Sequence, residues 1–104
     1  MNKNIENQIN SIGLKMDLDK FEIKMDFNLA IIKLQLVALE EKGKLTNENV
    51  EKKFLELHIL FNELSDLKQK AYLYGANDLV DRCYKLEVDI MFFRQELKEY
   101  IKFN

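Results

Sequence analysis

Few side chains in this sequence are of a type that does chemistry, and their spacing decides how far each can go. His58 is the sole histidine. On a helix, its neighbours three and four residues away are Phe54, Leu55, Phe61 and Asn62. None is a metal ligand or a carboxylate that would orient an imidazole. No Glu stands three residues before it, which disfavours the carboxylate-bridged di-metal bundles built on Glu-x-x-His. Cys83 is the sole cysteine, so an internal disulfide and a multi-cysteine metal site are both excluded. Ser11, Ser65 or Cys83 would have to meet His58 across the fold to make a nucleophile–base pair. Gly13, Gly43 and Gly75 are scattered and cannot form a phosphate-cradling loop. Arg82 and Arg94 read as surface partners of acidic neighbours. The expectation is therefore a non-enzyme with no catalytic residue, no metal ligand set and no cofactor.

Bulk properties narrow the class further. The chain has 104 residues, one domain's worth, with a net charge of -2. A nucleic-acid binder usually carries a basic face, whereas residues 1–44 here hold Lys and acidic side chains in equal number. Nucleic acid is thus disfavoured as a partner. No apolar run approaches the roughly 18 residues that span a bilayer, and MNKNIENQINSIG lacks the apolar centre of a signal peptide. A cytoplasmic location is expected, with no membrane partner. Arg is scarce beside Lys, and Asn and Ile are plentiful, which hints at an AT-rich genome.

The elements that would position these residues are helices. Proline, the strongest helix breaker, is absent. Leu79, Cys83, Leu86, Ile90, Phe93, Leu97 and Tyr100 step by four and three in a heptad seam. Asn77 is a candidate cap for that helix. Val50, Phe54, Leu57, Phe61 and Leu64 form a second seam, interrupted at Lys68. Thr46 suits its N-cap, Leu45 and Val50 a hydrophobic staple, and Gly75 a left-handed C-cap. So short a connection between these two helices implies an antiparallel pair.

Residues 12–27 admit two readings. Apolar alternation through FEIKMDFNLAI suits a strand, in a hairpin turning at Asp19-Lys20. That register sets Asp17 against Glu22 and Lys15 against Lys24, like charges across a ladder. Asp-Lys is also a poor tight turn. The helical reading gives Leu14, Leu18, Phe21, Met25, Leu29, Ile32, Leu36 and Leu39 as one unbroken seam, and it is preferred. The chain thus reads as all-α: an antiparallel bundle of three long helices at 14–42, 46–74 and 77–103. Residues 1–13 form a short N-terminal helix or tail, and the whole chain is a single domain.

Read as helix, the alternation gives the first element two apolar faces. Met16, Ile23, Phe27 and Leu34 lie about 180° from the main seam, with polar strips between. A bundle helix needs one apolar stripe. The leader, through Ile5, Ile9 and Ile12, could fold back over the second face; otherwise a second copy or a different protein would cover it. Phe92, adjacent to the seam residue Phe93, adds an aromatic on a neighbouring face. The expected function is a protein-interaction module using Met16, Ile23, Phe27, Leu34 and Phe92. Its partner would be another protein or a homodimer mate. An inhibitor, antagonist or immunity-type protein of a phage or mobile element fits that type. The alternative is a nucleic-acid-associated regulator using Lys15, Lys20, Lys24 and Lys33. In size and helix count the chain is similar to spectrin-type repeats and bacteriocin immunity proteins; no motif of either is present.

Overall fold

The structure, a computed structural model, describes residues 2–101. Three helices account for nearly all of them: α1 Lys3–Glu41, α2 Asn47–Leu73 and α3 Asn77–Lys98. Among the described residues there is no strand, so residues 12–27 are helical and the hairpin is excluded. At about 1.5 Å per residue α1 alone is close to 60 Å long, which is the longest dimension of the molecule, 61 Å.

Each boundary has a local cause. The Asn2 side chain accepts from the backbone N–H of Asn4 and caps α1. Gly43 and Gly75 both have φ +67, a left-handed conformation in which a Cβ is strained. They let Lys44 N–H reach Leu39 O and Ala76 N–H reach Ala71 O, closing both helix ends in the same way. Thr46 caps α2 in a full capping box with Asn49. Replacing Thr46 by Ala removes that box and lowers stability by about 1 kcal/mol, measurable as a shift of the urea midpoint at unchanged slope.

Three expectations are corrected at this level. The stretch expected as a leader at 1–13 is not separate in its described part: α1 runs unbroken from Lys3 through Gly13, and residue 1 lies outside the described residues. A single glycine costs a helix interior only about 1 kcal/mol, and with no proline or competing cap at that point the helix continues. Asn77 is not the cap of α3. Ala76 occupies that position without a side-chain hydrogen bond, and its carbonyl receives Leu79 and Val80 N–H. The three-residue link is too tight to spare another residue. α3 ends at Lys98, short of the expected 103; residues 102 and 103 lie outside those described.

The core follows the predicted seams in most positions; Leu29, Leu39, Phe54, Phe61, Phe93 and Tyr100 are only half-buried, and Leu60 and Val80, outside the seams, are buried. Leu14, Leu18, Phe21, Met25, Ile32 and Leu36 from α1 meet Val50, Leu57, Leu60 and Leu64 from α2. Leu79, Cys83, Leu86, Ile90 and Leu97 close it from α3. α2 is the shared element, packing on both others, while α1 and α3 meet only along one edge.

Candidate interaction face

The flanks of α1 show which way it is turned. On one flank Lys24 pairs with Glu63 at 2.9 Å, and Gln35 accepts from Lys53; both partners lie on α2. On the other flank Arg82 of α3 reaches Asp19 at 2.8 Å and Glu22 at 3.9 Å, and Lys33 approaches Glu96 at 3.8 Å. Positions of contact fall along α2 as they rise along α1, and rise together along α1 and α3. With the inner seam buried and both polar strips turned toward α2 and α3, the remaining side of α1 faces away from the molecule.

That side carries the residues read from the sequence. Met16, Ile23, Phe27 and Leu34 are all more than half exposed, Ile23 at 73% and Phe27 at 65%. Phe92 is exposed too. It lies one turn before Glu96, the α3 residue that reaches α1, so it borders the same side of the molecule.

The leader does not cover this face. Ile5, Ile9 and Ile12 belong to α1 itself and are at least half exposed. They extend the face instead. From Ile5 to Leu34 the stripe advances in eight steps averaging about 3.6 residues, the period of a straight helix. Lys20 is its only charged position and Ala30 its only small one. The first buried residue of α1 is Leu14, so the turns before it stand clear of the core, with Asn7 and Ser11 half-buried beside the α2–α3 connection. An isolated helix this short is marginal in water. Sequence reading split the stripe at Gly13, although the spacing across that glycine was already helical.

The residues weighed for chemistry fall elsewhere. His58 is exposed on α2 and lines an open apolar groove between α2 and α3, with Phe54, Phe61, Ile90, Met91 and Arg94. Arg94 does not pair with an acid there; its guanidinium lies 5.7 Å from the Phe54 ring centre. Cys83 is fully buried, and that burial pushes its thiol above the ordinary value, leaving it a small apolar side chain. Among the described residues no group of His, Cys, Asp and Glu converges as a metal site would require. None of the helices is long and apolar enough to cross a membrane.

One cluster escaped the sequence reading. Lys68, where the α2 seam breaks, reaches Glu87 of α3 at 2.7 Å and sits over the Tyr84 ring at 4.7 Å. Tyr84 and Tyr72 share a hydroxyl hydrogen bond of 2.6 Å. The Glu87 Oε1 is shut off from water and has no partner besides that ammonium. The hydrogen bond to Glu87 raises Lys68 above its ordinary value, against a lowering by burial. The Tyr84 hydroxyl raises Tyr72 in the same way. The break at Lys68, facing Glu87 once the two helices are laid antiparallel, was the available signal.

No protein family, characterised protein or solved structure matches this chain. The functional reading therefore rests on geometry. The molecule offers one apolar face about 44 Å long, interrupted at Lys20 and flanked by charges of which Asp19, Glu22, Lys24 and Lys33 are paired within the bundle.

Proposed function

We propose that this chain is a non-enzymatic, cytoplasmic protein-interaction module that works through the outer face of α1. It is of inhibitor, antagonist or immunity type and belongs to a phage or other mobile element. The framework is an up-down-up antiparallel bundle, which the opposed order of the α1–α2 and α2–α3 contacts supports. The observation that carries the reading is the exposure of Met16, Ile23, Phe27 and Leu34 on a helix whose opposite seam is buried from Leu14 to Leu36 apart from the half-buried Leu29. Contiguous apolar patches of this extent on a folded surface mark interaction sites. A phosphate-binding face is less well supported. Of the four lysines that would form it, Lys15, Lys20, Lys24 and Lys33, two are occupied: Lys24 by Glu63 and Lys33 by Glu96.

The test is capture from the native host on immobilised wild type and on Ile23→Asp. The expected result is specific retention by wild type that the variant loses while keeping the wild-type circular dichroism spectrum. Equal retention by both would remove α1's outer face from the function. Retention of nucleic acid, released by salt, would favour the regulator instead.

A further inference from the structure

We infer that the outer face of α1 docks on the same face of a second copy, the two helices antiparallel about a two-fold axis between Asp19 and Lys20. This rests on the interaction reading above and commits it to one occupant. Reversed end to end about that point, the stripe falls on itself. Ile5 comes opposite Leu34, Ile9 opposite Ala30, Ile12 opposite Phe27, and Met16 opposite Ile23. Isologous pairing requires that kind of self-complementarity. It also places the one small stripe residue, Ala30, against the large Ile9, and keeps the largest, Phe27, opposite Ile12. A parallel pairing would set Phe27 on Phe27 and Ala30 on Ala30, and would align the helix dipoles unfavourably.

The charges follow the same register. In the antiparallel pair Lys15 falls between Glu22 and Asp26 of the second copy, and Asp17 between Lys20 and Lys24 of the second copy. Each Lys20 stands level with the other copy's Asp19. Among the described residues Lys15, Asp17, Lys20 and Asp26 have no ion pair within their own chain. They are the charges that gain opposite partners. Like charges also approach near the axis: Asp19 meets Asp19 and Glu22 of the second copy, carboxylates that Arg82 neutralises on each side at 2.8 and 3.9 Å, and Lys20 meets Lys20, each with the second copy's Asp17 beside it.

Size agrees as well. Seven large side chains exposing on the order of 100 Å² each give roughly 1,400 Å² buried in the pair, within the standard class of stable interfaces. A membrane surface is a poorer occupant, because amphipathic helices that lie on lipid are flanked by Lys and Arg, and these flanks carry both signs. The pairing also explains the turns before Leu14. Ile5, Ile9 and Ile12 lie against the part of the second α1 that its own bundle supports, which gives the projecting helix the packing it lacks alone.

Sedimentation equilibrium of the full chain, with Phe27→Asp alongside, tests the pairing. Wild type is expected to be a dimer. Phe27→Asp enters the interface twice and weakens association at least about a hundredfold, giving a folded monomer, because Phe27 contributes nothing to the monomer core. A wild-type monomer would overturn the inference. If host capture by that monomer were still lost in Ile23→Asp, the interaction reading would survive it; if capture were absent too, both would fall. Orientation is read by mixing Met16→Cys with Ile23→Cys under mild oxidation. A disulfide between the two variants is expected, and one joining two Met16→Cys chains would overturn the antiparallel arrangement.

Discussion

Leu64→Ala lowers the unfolding free energy by about 3 to 4 kcal/mol and is the most damaging single truncation expected in this fold. Leu64 is 0% exposed and sits on α2, the helix that packs on both others. Its loss therefore opens a cavity that cannot close by moving one helix without pulling away from the third. Deleting a buried leucine removes the transfer energy of the missing carbons and adds the cost of the space they leave. Against a total of about 5 to 15 kcal/mol for a domain of this size, the melting temperature should fall by roughly 15 to 25 °C. Thermal unfolding followed by circular dichroism measures it. Ile59→Ala, on the outer side of α2 and more than half exposed, should move the midpoint by a few degrees at most. If the two variants behaved alike, the division between core seam and outer face on α2 would be mistaken.

Lys68→Met should destabilise the protein by about 2 kcal/mol at neutral pH, through the carboxylate it strands. Glu87 keeps 11% of its side-chain exposure and Lys68 20%. Water reaches the ammonium in part, so the loss falls below the 3–5 kcal/mol typical of dry pairs. Adding Glu87→Leu to Lys68→Met removes the stranded charge, and most of the stability should return. The pair also fixes a pH dependence. Lys68 titrates above its ordinary value of 10.5 in the folded chain. The stabilisation it gives is complete below 10.5 and drains away as pH rises through the raised folded value. Tyr72 acts in the same window. Its neutral form is held by the Tyr84 hydroxyl, so the unfolded chain ionises first and stability falls as pH climbs beyond 10.0. Urea unfolding across the alkaline range should show the gap between wild type and Lys68→Met closing as Lys68 loses its proton. A gap of constant size would mean that the charge is not what holds Glu87.

The sequence by itself determined the helices and their inward faces. Period is a local property: Leu14, Leu18, Phe21, Met25, Ile32 and Leu36 recur at helical spacing, and any helix through them must bury that side. The turns were legible for the same reason, since Gly43, Gly75 and Thr46 act within a few residues of themselves. The two-faced character of α1 was legible as well, because Met16, Ile23, Phe27 and Leu34 repeat at the same period on the other side. What covers a face is not local. Whether Ile5, Ile9 and Ile12 folded back or ran on turned on one glycine, whose cost of about 1 kcal/mol is too small to decide by itself. The structure continues the helix, merges those residues with the outer stripe, and so enlarges the uncovered face instead of closing it. The Lys68–Glu87 contact and the Arg82 clamp on Asp19 and Glu22 likewise belong to the tertiary structure. They depend on which residues of separate helices come level, and that is set by helix lengths and links acting together, not by any one segment's pattern.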